Sequence, residues 1–584
     1  MLHGPAPVMA GPGAGARAEL IAGLPVVGAV LARLGFDAIL AAGLPEPDPR
    51  CGIGTATVIG VLVRNLALGR QPLYGLADWA AGFDETLLGL DRGQAARLND
   101  DRAGRALDEL YAADRASMTT ALSVAAVSAY GISAGELHND STSLVLYGAY
   151  RHGAGQGEDA GQAANPAGPP RPARGHSKDH RPDLKQLVWI LTTTADGAVP
   201  FTFKMADGNT EDSTTHIATW QAYRLIAGRP DFLYVADSKL ATGANMTRIA
   251  GQGGRFLAVL PRSRTEDKQG RAWLASGCPI GWAEAARRAG RSKHGPPCTW
   301  QAVPAPAPSK EAYRIIWIRS SVKQALDART RAQAIGAAVA ALGKLAARLP
   351  AGRCKLKTRA AVEKAAAQAV GCAARWVRFE VTQQTISGQR QIGPGRPGPG
   401  TRYQQTARTR FTLSYAVSQA QTAYDAASDG CFPLITNDNT LTPAELWAAY
   451  KRQPHLERRH HTFKSVLGAT PVQLKNDTRI DALGFCLYTA LLAHALIERQ
   501  IRRAMASTGI RQLPLYHEDR PCTAPTATQI LKVLSPLTRT TIVHHDQVLN
   551  QIAPTLTPLQ DQLLTLLGIP ASAYGTRPPP PPQN

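Results

Sequence analysis

The sequence predicts an α/β protein: a mixed sheet interrupted by an inserted α+β domain and preceded by a helical N-terminal domain. Three observations carry this. Apolar residues recur at three and four from about Glu19 to Gly131, as in Val27, Leu31, Leu34 and in Ile59, Leu62, Leu66, the period of helices that bury one face. At Glu136 the pattern changes to short alternating runs rich in Val, Thr and aromatics, the mark of strands. From about Ser263 to Tyr424 a basic helical stretch and two strand-like runs flank a Gly/Pro loop, and strand signals resume only afterwards.

Residues 1–18 are rich in Gly, Ala and Pro and read as a flexible N-terminus, and residues 19–131 read as the helical domain. Pro45, Pro47 and Pro49 separate its first helices from the next. Such a domain binds DNA ends or a second subunit, and nothing in the segment decides between them. Residues 136–262 then follow a definite order. "LHNDSTSLVLY" makes a strand from Leu137 to Leu146 with Asp140 in its middle. A polar loop spans Arg151 to Arg181. "QLVWILTTT", the turn Asp196-Gly197 and "VPFTFKMA" make a hairpin. Asp212 or Ser213 caps a helix running to Ile226. "DFLYVADS" is a short buried strand ending at Asp237, followed by a helix near Ala241 to Ala250 and the strand "RFLAVLPR".

Three strands, the first carrying an acid, then a helix, a strand ending in an acid, a helix and a strand form the order of a ribonuclease-H-like mixed sheet. In that order the first and fourth strands are neighbours, so Asp140 and Asp237 meet at one edge. Each acid has a plain reading alone, Asp140 as a turn cap and Asp237 as a strand end. Side by side in a sheet they repel unless a cation lies between them.

The inserted domain covers 263–424. In the second part of the sheet domain, 425–506, "SDGCFPLITND" supplies a buried strand and Thr442-Pro443 starts a helix leading to "AYKRQPHLERRHHTFKS". There Tyr450, Glu457 and Lys464 recur at a spacing of seven, which on a helix returns to within about 20° of one direction. Pro454 disfavours a helical Gln453 and kinks the segment. A helix from Arg479 to Met505 is apolar around much of its circumference. Its apolar run, Ala482 to Ile497, is shorter than the roughly 20 residues of a membrane span and contains His494, so it reads as a core helix. Residues 507–584 form a C-terminal extension with one more amphipathic segment and the Pro-rich end "RPPPPPQN".

Lys and Arg number 65 against 44 Asp and Glu in 584 residues, a formal net charge of +21. That excess favours a polyanionic partner. With no secretory leader pattern and no membrane span, the partner read from composition is nucleic acid. Eight scattered cysteines without a CxxC pair argue for free thiols and against structural zinc. His544, His545 and Asp546 stand together without a second ligand pair.

In combination, "LVRNLALGRQPLYGLADW", "HNDSTS", "GHSKDHRPDLKQLVW", "VADSKLATGANM", "DGCFPLITND" and "YKRQPHLERRHHTFKS" resemble a bacterial insertion-sequence transposase of the DDE class, in the branch whose ribonuclease-H-like domain is interrupted before the glutamate. That branch carries a Tyr/Arg/Glu/Lys signature. Tyr450, Glu457 and Lys464 match it, while Gln453 stands at the Arg position and Arg452 beside it.

The resemblance implies that Asp140, Asp237 and Glu457 are catalytic and hold two Mg²⁺ ions, with Mn²⁺ a substitute, about 3.5–4 Å apart. It implies a cytoplasmic, nucleoid-associated protein, without a membrane partner, that acts as a homodimer on DNA. The protein would bind the element's terminal inverted repeats in double-stranded DNA, cleave there and join 3′-hydroxyl ends to target DNA. Tyr450 and Lys464 would hold terminal phosphates. Arg452, Arg458 and Arg459 are further DNA-binding candidates, as are Lys178, Arg181 and Lys185 and, in the insertion, Lys344, Arg348, Lys355 and Lys357. His460 and His461 read as DNA-facing or solvated. A nuclease on the same fold that does not join strands, and a non-catalytic transposase-derived DNA-binding protein, are the alternatives.

Overall fold

The computed structural model describes residues 14–46, 51–148, 150, 168–290, 295–351, 354–470, 472, 474–544 and 547–575. Most of the expected polar loop, the Pro-rich end, and His545 with Asp546 lie outside them. The chain divides into two compact units, Met1–Leu257 with Ala449–Asn584, and Ala258–Ala448.

The first unit begins with β1 (Ala14–Leu20), so residues 14–18 of the expected flexible terminus belong to a strand. Six helices follow: α1 (Leu24–Arg33), α2 (Phe36–Gly43), α3 (Thr55–Gly69), α4 (Leu76–Ala81), α5 (Asp100–Ala112) and α6 (Arg115–Tyr130). Their ends follow local chemistry. Asn99 and Asp114 cap α5 and α6 by accepting from Arg102 N and Ser117 N, and Gly131 ends α6 in the left-handed region at φ 58°. The periodic residues Val27, Leu31, Leu34, Ile59, Leu62 and Leu66 are all buried.

Next come β2 (Glu136–Leu146), β3 (Lys185–Thr194), β4 (Pro200–Ala206), α7 (Asp212–Ala227), β5 (Leu233–Ala236), α8 (Gly243–Gly251) and β6 (Arg255–Val259). In space the strands run β4-β3-β2-β5-β6. β2 and β3 are antiparallel, with Asp140 opposite Leu191, and β3 and β4 form the hairpin. Gly197 turns it at φ 83°. β2 and β5 are parallel, pairing Glu136 with Leu233 and His138 with Val235. The protein is therefore mixed α/β, its sheet combining both pairings.

The second unit holds more strand than the sequence suggests. After α9 (Thr265–Leu274) come β7 (Ala283–Arg288), β8 (Cys298–Pro304) and β9 (Arg314–Ser320), then α10 (Ser321–Arg348) and α11 (Arg359–Val370), then β10 (Val377–Gln391), β11 (Tyr403–Val417), α12 (Gln419–Ala426) and β12 (Cys431–Thr436). β12, β9, β8 and β7 lie side by side, each pair antiparallel. β10 and β11 form a separate ribbon whose residues pair from Val377↔Val417 to Gln391↔Tyr403. Val381, Phe411 and Leu413 pack with Ala338, Leu342, Val362 and Ala366 of α10 and α11 into this unit's own apolar cluster.

α13 (Pro443–Tyr450) crosses the unit boundary, and α14 (Gln453–His461) then starts with Pro454 in its first turn. A π-helical turn covers Thr462–Val466. Tyr450, Glu457 and Lys464 thus sit on three successive segments, which corrects the expectation of one helix face. α15 (Asp477–Ser507), α16 (Ala527–Leu534), β13 (Thr538–His544), β14 (Gln547–Ile552) and α17 (Pro558–Leu567) complete the first unit. β1 pairs with β13, joining residues 14–20 to 538–544 in a small sheet. α15 is long and apolar enough to cross a membrane, but 94% of its apolar window is buried inside the protein. It lies in one core with Val27, Ile59 and Leu62 of the N-terminal helices and Trp189 and Leu191 of β3.

Candidate functional site

β2 is buried along almost its whole length, and Asp140 is one of its two half-buried positions. The last paired residues of β2 and β5 are His138 and Val235. Asp140 lies two residues beyond His138 in β2 and Asp237 two beyond Val235, just past the end of β5, so the parallel register brings the two acids to the same end of adjacent strands. Asp237 follows directly on β5, and its carboxylate accepts from Lys239 N at 2.9 Å. Burial raises both carboxyl pKa values. For Asp237 the charges of Asp140 and Asp212 push the same way.

A third carboxylate joins them. Asp212, the first residue of α7, accepts from Ser141 Oγ at 2.6 Å. Lys178 lies among the three. Its Nζ is 3.2 Å from Asp212 and 3.5 Å from Asp140, and donates at 2.6 Å to the Ser141 carbonyl. Burial pulls the Lys178 pKa down, but the charges of Asp140, Asp212 and Asp237 leave it raised. For Asp212, burial is outweighed by Lys178 and Ser141, and its pKa falls. Lys178 is therefore committed to carboxylates, not displayed as a surface cation. These acids share a field that positive charge stabilises.

The start of α14 is fastened to β2 just ahead of Asp140. Gln453, buried, donates to the Asn139 carbonyl at 3.0 Å and contacts His138 Nδ1 at 3.0 Å. Arg452 forms a two-pronged pair with Glu136 at 2.7 and 2.6 Å, and Glu136 also meets His138 Nε2 at 2.7 Å. Arg452 and Gln453 thus serve to dock the helix. Glu457, one turn on, is exposed. Among the described residues, no hydrogen bond or ion pair joins it to either aspartate. The link is Tyr450: burial raises its phenol pKa, and the charges of Glu457 and Asp237 add to the shift.

The remaining basic candidates separate by burial. Arg458 is exposed. Arg459 is not a DNA-facing side chain: its guanidinium is buried, donating to the Ala198 and Gly197 carbonyls at 2.8 and 2.9 Å and to Glu498 at 2.8 Å. Lys464 is paired with Asp179 at 2.7 Å, and Arg181 with Asp183 at 2.8 Å. Lys344, Arg348, Lys355 and Lys357 are exposed.

His461 is exposed, but His460 is buried, which corrects the solvated reading. Its Nε2 lies 3.9 Å from Asp140 Oδ2, too far for a hydrogen bond. Neither ring nitrogen meets strict hydrogen-bond geometry, though the Asp140 backbone lies close enough to favour the protonated ring. Burial, with Lys178 and Lys464 nearby, pushes its pKa down to about 3, so the ring is neutral. The sequence pattern alone reads Asp212 as a helix cap and His460 as DNA-facing or solvated. The available signal for His460 was its position three residues after Glu457, a neighbouring place on the same helix.

Among the described residues, no three His, Cys, Asp or Glu side chains converge closely enough to hold a metal ion as they stand. Residues 17–124 match the family model described as "Domain of unknown function (DUF4277)", a domain associated with transposase-like proteins. No curated protein matches the chain.

Proposed function

We propose that this protein is a DNA transposase with a ribonuclease-H-like catalytic domain, which binds the terminal inverted repeats of its element, cleaves there and joins the 3′-hydroxyl ends to target DNA. The observation that carries the reading is the register of β2 on β5, which brings Asp140 in β2 near Asp237, just past the end of β5, in a sheet ordered β4-β3-β2-β5-β6. The N-terminal family match supports it.

The acids offer oxygen ligands, the chemistry of hard divalent cations such as Mg²⁺ or Mn²⁺, but the described residues bring no three such ligands together and the Lys178 ammonium already lies among them. Asp140, Asp237 and Glu457 would hold the ions. When bound, two such ions supply a deprotonated oxygen nucleophile and stabilise the leaving 3′-oxygen. Lys178 gives the aspartates a counter-charge. Arg452 and Gln453 fix the approach of α14, and so of Glu457, to β2. Tyr450, within electrostatic reach of Glu457 and Asp237, would meet a strand end at the site.

DNA contact falls to exposed cations. On the β10–β11 ribbon, pairing places the even-numbered residues of both strands on one face, which carries Arg378, Arg390, Arg408 and Arg410. Arg396 and Arg402 lie in its exposed tip. Such a face can track phosphates along a groove.

The test is cleavage, with Mg²⁺, of a linear duplex ending in the repeat that flanks the gene, comparing wild type with Glu457→Ala and Asp140→Asn. Nicking at the repeat boundary by the wild type, reduced by at least about 10³-fold in variants that still bind DNA, is expected. Binding without cleavage by the wild type would overturn the enzyme reading. Equal cleavage by Glu457→Ala would remove Glu457 from the site.

A further inference from the structure

The ribbon β10–β11 outgrows the core that supports it. Among the described residues, Val381 and Phe411 are the outermost ribbon positions in the apolar cluster with α10 and α11. Beyond them β10 continues from Thr382 to Gln391, roughly 30 Å of strand at about 3.3 Å per residue, and every residue of that stretch but Gln391 is exposed. Residues 381–424 contain five arginines, no lysine and no acid. An arm of that length and charge is suited to a polyanion.

The arm's tip has a chemistry of its own. Residues 393–400 read Gly-Pro-Gly-Arg-Pro-Gly-Pro-Gly, so Arg396 is the only side chain there larger than a proline ring. The turn is nonetheless fixed in shape. Gly393 and Gly395 sit at φ 101° and 126°, a region that strains other residues. Ile392 N donates to the Arg402 carbonyl at 2.8 Å, Gln391 Nε2 to the Gly395 carbonyl at 2.9 Å, and Gly398 N to Thr401 Oγ1 at 2.8 Å. Arg396 and Pro397 fall between these bonded halves, both exposed. A Cβ added to any of the four glycines would meet nothing within 4 Å. The tip is therefore a bare backbone loop that carries one cation.

Such a loop suits a narrow slot. The minor groove of B-DNA is about 6 Å wide, against about 12 Å for the major groove, so a backbone stripped of side chains enters it where a two-stranded ribbon does not. A·T-rich minor grooves are narrower and more negative, which draws in arginine, whereas each G·C pair raises the guanine amino group from the groove floor. We propose that residues 393–400 enter the minor groove of A·T-rich duplex DNA, with Arg396 against its floor and the ribbon's other arginines on the flanking phosphates. The inference rests on the DNA-binding reading above and adds the groove and the base composition that the tip selects.

The experiment is equilibrium binding of the full chain, by fluorescence anisotropy at one salt concentration, to three duplexes of equal length. One is A·T-rich, one is G·C-rich, and the third is the G·C sequence with inosine in place of guanine, which removes the minor-groove amino group and leaves the major-groove edge unchanged. Wild type should bind the A·T and inosine duplexes about tenfold more tightly than the G·C duplex. Arg396→Ala and Gly398→Val should each lose most of that preference, with binding to the G·C duplex altered less. A valine at 398 projects into open space from a position without left-handed backbone, so it thickens the tip and leaves the turn intact. Circular dichroism checks that both variants fold. Equal binding of all three duplexes by the wild type, an inosine duplex that behaves like the G·C one, or a preference that survives in both variants would overturn the proposal and leave the DNA-binding reading standing. No binding of any duplex by the wild type would overturn both.

Discussion

At the residue scale, Glu136 shows how the site's scaffold is held by charge. Burial alone would raise its pKa, but the bonds from His138 and Arg452 lower it from 4.5 to about 2. Folding therefore favours the ionised form. Its contribution, about 3 kcal/mol, is complete above about pH 4.5 and is lost as the pH falls toward about 2. Chemical denaturation of wild type and Glu136→Gln should thus give a stability difference that is constant above pH 4.5 and shrinks below it. A difference that does not change between pH 5 and 3 would mean that Arg452 and His138 do not hold Glu136 in solution. The acids at the site behave oppositely. Burial and mutual repulsion raise the Asp140 and Asp237 pKa values, so their ionised forms weaken the fold at neutral pH. Groups perturbed in this way by burial and by each other mark a candidate functional site.

At the scale of elements, the ribbon β10–β11 divides its labour by face. Odd-numbered Val377, Val381, Phe411 and Leu413 are buried with α10 and α11, while the even face carries four arginines against one acid, Glu380. Replacing Arg390, Arg408 and Arg410 together by Ala should weaken DNA binding and lower the slope of log affinity against log salt by about 2–3. Folding should be unaffected, because these side chains are exposed. An unchanged slope would take the ribbon off the DNA path.

The same elements show what the sequence could tell. The two ribbon strands and the strand around Asp140 were legible because alternation of apolar and polar residues is a local property. β7 was not, since "AEAARR" carries no strand pattern. β1 and β13 were missed because what makes them strands is their pairing, across most of the chain's length. Likewise the roles of Arg452, Gln453 and His460 were hidden in a run of polar residues. Which of them faces inward depends on the break between α13 and α14. Pro454 signalled that break but could not give its direction.

At the scale of the whole first unit, the position of Glu457 depends on the core. Arg459, two residues beyond it, pairs with Glu498 on α15, and Glu498 also accepts from Ala527 N at the start of α16. Both partners are buried. Removing one member leaves an unpaired charge inside the protein, at a cost of about 3–5 kcal/mol, whereas replacing both with apolar residues of similar size is close to neutral. Arg459→Met should therefore lower the denaturation midpoint sharply, and Arg459→Met with Glu498→Leu should recover most of the loss. The recovery will be incomplete, because Ala527 N loses its acceptor and the Ala198 and Gly197 carbonyls lose a donor. If the pair acts only as packing, the double variant should restore full cleavage. If the guanidinium also sets the angle of α14 through those two carbonyls, stability will return while cleavage stays low, and the two measurements on one protein separate holding the fold from aiming the helix.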